Sequence, residues 1–279
     1  MIIFKRNNDL TGWLKKKTDS GKSIGFVPTM GALHAGHISL IAISKKAADI
    51  TVCSIFVNPT QFNDQKDFQK YPVTLEKDIA LLEAAGVDIL YLPAVAELYP
   101  GGTSGLEHYE LGDLETLLEG KYRPGHFQGV CQVMSRLLGT VRPDNLFMGQ
   151  KDYQQCMVVQ RLLSLMNAPT QLHRCPIVRE SDGLAMSSRN LRLSPTQRIN
   201  AVGIYHALLL LKEKWSVAPL AALIEAGAIL KQAHFKIDYI SVADATTLEP
   251  VSGRSDANAV VALIAAFQGE VRLIDNMIL

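Results

Sequence analysis

His34 and His37 lie three residues apart in a loop punctuated by Pro28, Gly31 and Gly36. An apolar run at 24–27 precedes the loop and an apolar-periodic segment at 38–48 follows it. The pattern predicts strand, loop and helix, with both imidazoles at the helix start. A helix N-terminus presents unpaired N–H groups and a partial positive charge, which suits a phosphate. Side chains three apart on a helix share a face, and a glycine lets the backbone approach an anion closely. The loop therefore reads as an anion site, although it matches neither the Walker A cradle nor G-x-G-x-x-G. Two other readings stay open. The histidines can simply cap the helix, or they can hold zinc, for which neither an H-E-x-x-H signature nor a neighbouring third ligand is present.

Met186-Ser187-Ser188-Arg189 offers two hydroxyls and a planar guanidinium fork, a compact binder of phosphate oxygens or else a polar turn between domains. Read with the histidine loop, it becomes a second clamp on one polyphosphate. Gly149-Gln150-Lys151-Asp152 opens a helix after a strand. There Lys151 can meet a phosphate, Asp152 a ribose or a metal, and Gln155, one turn on, the same cleft, or the stretch is a solvated helix start that Asp152 favours. Asn58 and Gln61 are neutral amides at a strand end, suited to a small polar substrate or simply to the turn at Pro59. Arg123 follows Glu119 by four residues and either reaches a substrate or forms an ion pair worth about 0.5 kcal/mol. Asp78, His108, His173, His206 and His234 stand in no supporting pattern. No G-x-S-x-G nucleophile motif occurs. The chemistry reads as electrostatic, with donors aimed at phosphate, as in phosphoryl or nucleotidyl transfer.

Such loops need a scaffold that brings them together. Besides 24–27, strands are expected at 50–57, 87–92, 145–148 and 172–178, and helices at 38–48, 75–85, 127–138 and 152–166. Strands alternating with helices imply a parallel sheet with helices on both faces, an α/β Rossmann-like fold. Ligands in such sheets bind at the carboxyl ends of the strands, where the polar loops after 24–27, 50–57 and 145–148 fall. Near residue 177 the pattern changes. A long helix is expected at 194–214, a second at 219–233, and strands at 237–243 and 260–266 around the polar turn Ser252-Gly253-Arg254-Ser255-Asp256. The expectation is a Rossmann-like domain at 1–176, a hinge at 176–178 and a smaller α+β C-terminal lid domain at 177–279.

The 279 residues carry a formal net charge of +1, with 48% hydrophobic and 20% charged residues, which suits a globular enzyme. The near-neutral balance argues against a nucleic-acid surface. The longest apolar stretch, 257–267, is too short to span a bilayer, so no membrane partner is expected. Cys53, Cys131, Cys156 and Cys175 form no C-x-x-C pair, and those in apolar runs read as buried hydrophobes. Polar residues follow 1–6 at once, without a signal peptide's apolar core, so a reducing cytoplasm is expected.

The loop at 28–37 together with Ser187-Ser188-Arg189 resembles the paired phosphate clamps of nucleotidyltransferases related to class I aminoacyl-tRNA synthetases. Further motifs narrow the likeness: Phe56-Val57-Asn58-Pro59-Thr60-Gln61-Phe62, Arg123-Pro124-Gly125-His126-Phe127, Lys151-Asp152-Tyr153-Gln154-Gln155, Asp182-Gly183-Leu184-Ala185-Met186-Ser187-Ser188-Arg189-Asn190 and Arg272-Leu273-Ile274-Asp275-Asn276. In that order, over nearly the whole chain, they resemble the pantothenate synthetase (pantoate–β-alanine ligase) family. The resemblance implies ATP-dependent condensation of (R)-pantoate with β-alanine through pantoyl adenylate, with Mg²⁺, releasing pyrophosphate and AMP. It implies an ATP site lined by Met30, Gly31, Ala32, Leu33, His34, Ala35, Gly36 and His37, with Gly149, Gln150, Lys151, Asp152, Val178, Met186, Ser187, Ser188 and Arg189. His37, His34, Lys151 and Arg189 would be the catalytic groups, His37 as proton donor. Gln61 and Gln155 would hold pantoate, Gln61 with Asn58 would serve β-alanine, and Arg123 would meet the β-alanine carboxylate. A homodimer is also implied; ligands for the metal are not. Three places depart from the family pattern. Met148-Gly149-Gln150-Lys151-Asp152 stands for Phe-Gly-Glu-Lys-Asp, Ala35 for a commonly acidic residue, and Lys77 for the first of two acidic residues in some members.

Two rivals remain. An adenylyltransferase for another small substrate would share the histidine loop without needing Asn58, Gln61 and Gln155 together. A non-catalytic nucleotide-binding module would have lost part of a clamp, yet His34, His37, Lys151, Ser187, Ser188 and Arg189 are all present.

Overall fold

The computed structural model describes residues 1–62, 65–253 and 259–279; residues 254–256 of the expected polar turn lie outside them. The first part of the chain runs β1 (Ile2–Phe4), α1 (Asn7–Thr18), β2 (Ile24–Thr29), α2 (Ala35–Ala47), β3 (Ile50–Ile55), α3 (Gln65–Gln69), α4 (Leu75–Ala84), β4 (Ile89–Tyr91), α5 (Val95–Leu98), α6 (Leu118–Tyr122), α7 (His126–Val141), β5 (Asn145–Gly149), α8 (Tyr153–Leu165) and β6 (Gln171–Cys175). These six strands form a parallel sheet in the order β1-β4-β3-β2-β5-β6. β3 is buried at every position, as a β-branched strand covered on both faces must be. One face packs on Leu10 and Leu14 of α1 and on Val130, Leu137 and Val159 of α7 and α8. The other packs on Leu40 and Ile41 of α2 and Leu82 of α4.

Strand order reverses at β2, which pairs with β3 on one side and β5 on the other. A crevice opens beyond the carboxyl ends of such strands, and the loops after β2 and β5 are the histidine loop and the Lys151 turn. β2 runs two residues past its expected end, through Pro28. Proline lacks the ladder donor, but the register with β5 stops at Phe26↔Leu146, so only β3 pairs alongside Pro28.

The remainder forms α9 (Pro195–Asn200), α10 (Gly203–Lys214), α11 (Pro219–Gln232), β7 (Lys236–Asp244), β8 (Val260–Gln268) and β9 (Val271–Ile278). The three strands make an antiparallel sheet, β7-β8-β9. Leu208, Leu211, Ala226 and Leu230 of α10 and α11 pack with Ile264 of β8. The single helix expected at 194–214 is two. Its hydrogen bonding tightens to i→i−3 where Ile204 N–H meets the Ala201 carbonyl at 3.3 Å. β9 falls outside the expected strands, because Arg272 and Asp275 interrupt its apolar alternation; both are engaged in ion pairs. β1 and α1 also fall outside the expected elements. β1 has three residues, and Ile2 and Ile3 are exposed at the sheet edge. All four cysteines are buried and unpaired, and among the described residues no helix is long and apolar enough to cross a membrane.

The two sheets meet along a seam. Tyr153, opening α8, packs on Ala243, Leu248, Val261 and Leu263, and its hydroxyl donates to the Ala245 carbonyl at 2.7 Å.

Candidate active site

The histidine loop is held from below by a carboxylate. Asp78, in the first turn of α4, is buried. Its two oxygens accept the backbone N–H groups of Ala32 at 2.9 Å and Leu33 at 2.8 Å, and the Thr74 hydroxyl at 3.1 Å. Sequence pattern gives Asp78 no role, since its partners lie 46 and 45 residues away. Ala32 and Leu33 are buried with their N–H groups committed, so they shape the loop rather than line the cleft.

α2 starts at Ala35, one turn earlier than expected, with His34 as its N-cap. The Nδ1 of His34 accepts the Gly36 N–H at 3.2 Å, and the Nδ1 of His37 accepts the His34 N–H at 3.3 Å. Each neutral ring therefore carries its proton on Nε2. The rings lie 4.1 Å apart between centroids and line the same cleft, where Nε2–H is the group left to meet an anion. Gly36 lines the cleft beside the rings, and a Cβ there would come within 2.9 Å of the His34 imidazole. Capping engages Nδ1 of each ring and leaves Nε2 free toward the cleft, so the cap does not exclude an anion there. Ala35, which departs from the family pattern, is exposed.

Burial, followed by the Lys151 charge, pushes His34 down to about 4. Burial, then His34 and Lys151, pushes His37 to about 3. His126 falls to about 3 through burial and then Arg123. An unfolded chain protonates these rings near the ordinary 6.5 and so binds more protons than the folded chain below that pH. The stability they contribute is present above about pH 6.5 and lost as pH falls toward the folded values. Thermal unfolding of the ligand-free protein is expected to show Tm falling below about pH 6.5, less steeply in His37→Asn than in the wild type. Parallel curves for the two proteins would remove His37 from the account.

The turn 58–61 is clamped onto the start of α7. Asn58 Nδ2 donates to the Gly129 carbonyl at 3.0 Å, and Asn58 Oδ1 accepts the Tyr99 hydroxyl at 2.8 Å. Asn58 is 1% exposed with both ends of its amide engaged. Gln61 faces the cleft, its Nε2 3.0 Å from Met30 Sδ. Met30, Asn58, Gln61, Gly149, Lys151, Asp152, Gln155, Val178, Met186, Ser187, Ser188 and Arg189 line the same cleft as the histidines. Gly31, Ala32, Leu33, Ala35 and Gln150 do not. The Ser188 hydroxyl donates to the Ala32 carbonyl at 3.0 Å, tying the two expected phosphate clamps to each other.

Three features rest on long-range partners that the sequence pattern does not place. First, Arg189 donates to Asp67 at 2.8 Å, and Arg192 takes the other Asp67 oxygen at 2.6 Å. Burial opposes the Arg189 charge, but Asp67 outweighs it and raises the pKa. Second, Arg123 lies in an adjoining cleft, where Arg192, Lys236 and Arg272 stand among Asp67, Asp238 and Asp275, rather than in the Gln61 cleft. Its pair with Glu119, at 3.7 Å, is buried rather than a surface bridge. Glu119 also takes both terminal nitrogens of Arg272 at 2.8 Å and the Tyr239 hydroxyl at 2.8 Å. Burial works against the Glu119 charge, yet Arg272 and Arg123 hold it down at about 2.

Third, β9 finishes the Lys151 turn. Asn276 Nδ2 donates to the Gln150 and Lys151 carbonyls, both at 2.9 Å, and Asn276 Oδ1 accepts from Gln150 Nε2 at 3.2 Å. Gln150, the departure from Phe-Gly-Glu-Lys-Asp, thus turns toward the C-terminal sheet. Asn276→Ala is expected to raise the KM for ATP about tenfold, since two half-buried carbonyls lose their donor. Steady-state kinetics decide it; an unchanged KM would mean that the turn holds itself.

Residues 2–278 match the family model described as Pantoate-beta-alanine ligase. The pantothenate synthetase of Bacteroides thetaiotaomicron is 43% identical over 99% of this chain and 98% of its own length. That of Cytophaga hutchinsonii is also 43% identical, over 100% and 99%. Among solved structures, the pantothenate synthetase of Thermus thermophilus superposes with a TM-score of 0.88 at 40% identity, covering 99% of each chain. The Francisella tularensis ligase, solved with β,γ-ATP and β-alanine, superposes at 0.84 with 36% identity, covering 100% of this chain and 97% of its own. With that coverage and identity, the chain belongs to the pantoate–β-alanine ligase family.

Proposed function

We propose that this chain makes pantothenate in two steps, in the histidine cleft and the Arg123 cleft that adjoins it. It condenses pantoate with β-alanine at the expense of ATP. In the first step a carboxylate oxygen of (R)-pantoate attacks the α-phosphorus, and pyrophosphate leaves with the broken P–O bonding pair. In the second, the β-alanine amine attacks the acyl carbon of pantoyl adenylate, AMP leaves, and the amine loses a proton. The observation that carries this reading is the convergence in one cleft of two Nε2–H donors, Lys151, Ser187, Ser188 and Arg189 with the amides of Gln61 and Gln155.

His34 and His37 stabilise charge on the reacting phosphates as neutral donors, and Lys151 neutralises it. Ser187, Ser188 and Arg189 grip the triphosphate, which competes with Asp67 for the guanidinium. Val178, whose carbonyl already accepts the Met186 N–H at 3.0 Å, lines the adenine end. Gln61 and Gln155 hold pantoate. Asn58 acts on β-alanine through Gln61, with which it shares a 3.3 Å hydrogen bond. Arg123 meets the β-alanine carboxylate from the adjoining cleft.

Magnesium fits this chain only as a companion of the nucleotide. Among the described residues no three His, Cys, Asp or Glu side chains form a metal cage. Asp78 and Asp67 are spent on backbone amides and arginines. Asp152 faces both clefts, and one carboxylate plus substrate phosphates is an ordinary magnesium environment. When bound, the ion neutralises triphosphate charge.

The chain divides functionally at 176/177, with 177–279 as a lid over the ATP site, and works as a homodimer in the cytoplasm. The test is incubation with ATP, Mg²⁺, pantoate and β-alanine, following AMP, pyrophosphate and pantothenate. Pyrophosphate released from ATP and pantoate alone, before any β-alanine, supports the adenylate. Folded protein that yields none of the products refutes the reading.

A further inference from the structure

His126 is a buried histidine that the roles above leave unused. It is 5% exposed and opens α7. Its Nδ1 lies 2.8 Å from the Gln61 carbonyl oxygen and its Nε2 lies 3.0 Å from Arg123 Nη1. A guanidinium only donates, so Nε2 accepts and the ring proton sits on Nδ1, from which it is donated to Gln61. Behind His126 stand Arg123, then Glu119, then Arg272 of β9. One turn along α7, a Cβ on Gly129 would fall 2.2 Å from the Thr60 carbonyl oxygen and 2.5 Å from Gln61 Cα. The helix and the backbone of the 58–61 turn are therefore in direct contact, and a side chain at Gly129 would push them apart.

We infer that His126 is a positioning residue for Gln61: its Nδ1–H fixes the peptide from which the Gln61 amide reaches the cleft, and so sets the affinity for pantoate without touching it. The inference rests on the reading of Gln61 as a pantoate ligand. It explains why a histidine is kept in a turn already supplied with a buried ion pair. A hydrocarbon of the same volume would fill the space but leave the Gln61 carbonyl unpaired.

Asparagine can place its Nδ2 where Nδ1 stands, whereas glutamine reaches the Nε2 position instead. His126→Asn is expected to keep the KM for pantoate within about twofold of the wild type, and His126→Gln to raise it about fivefold to tenfold. The KM for ATP stays unchanged in both. Loss of packing alone would harm the shorter asparagine at least as much as glutamine. Equal pantoate KM values in the two variants, or a matching rise for ATP, overturn the inference. Gln61→Ala separates it from the reading beneath. If Gln61→Ala leaves the pantoate KM unchanged, the role of Gln61 fails. If Gln61→Ala raises it and His126→Gln does not, only the role of His126 fails.

Discussion

His37→Ala is expected to slow pantoyl-adenylate formation about 10²- to 10³-fold, the loss typical when one preorganised donor to a developing anion is removed. The Nε2–H of His37 is fixed before substrate arrives, because the His34 N–H occupies Nδ1 and burial keeps the ring neutral. No reorganisation is then needed as charge builds on the phosphates, which is where such donors gain their effect. His34→Ala and Lys151→Ala are expected to fall in the same class. Rapid-quench measurement of pyrophosphate release from ATP and pantoate, without β-alanine, isolates this step. Near-normal release by folded His37→Ala protein would end its assignment as a catalytic group.

Asp78→Ala is expected to destabilise the protein by about 3 kcal/mol, because two buried N–H groups lose a charged acceptor. For a chain of this size that is a fall in Tm of about 6–12 °C. Adenylate formation falls with it, since Ala32 and Leu33 lead directly into the N-cap formed by His34. Asp78→Asn retains acceptor capacity on one oxygen and should lie between. Calorimetry of the two variants is the check, and wild-type stability in Asp78→Ala would show that the loop has another support.

Much of the first sheet was legible because its longer strands are apolar runs between amphipathic helices, and local pattern reports burial well. The histidine loop, the serine–arginine segment and the Lys151 turn were legible as motifs, and the structure brings all three to one cleft. What pattern could not report was pairing at long range. Asp78, Asp67, Glu119 and Asn276 act on partners 45 to 153 residues away, and local spacing places none of those partners opposite them. β9 escaped for the same reason. Arg272 and Asp275 look like solvent-facing charges until Glu119 and Arg179 are placed opposite them. Asn58 shows the converse: a polar residue at a strand end reads as a ligand, yet its amide is engaged by Tyr99 and Gly129.

The bond between Lys151 and Asn276 spans 125 residues of chain. Synthesis is vectorial, at about 5–20 residues per second, and N-terminal units fold first. A nascent chain therefore exposes its lysine turn for on the order of ten seconds before the strand that completes it leaves the ribosome. During that interval the lysine turn lacks the Asn276 hydrogen bonds that complete it. An acyl adenylate is a reactive mixed anhydride, and releasing one from a half-built site would waste ATP on hydrolysis. By assigning the last hydrogen bonds of the turn to β9, the fold completes its lysine turn only after Asn276 has been synthesised.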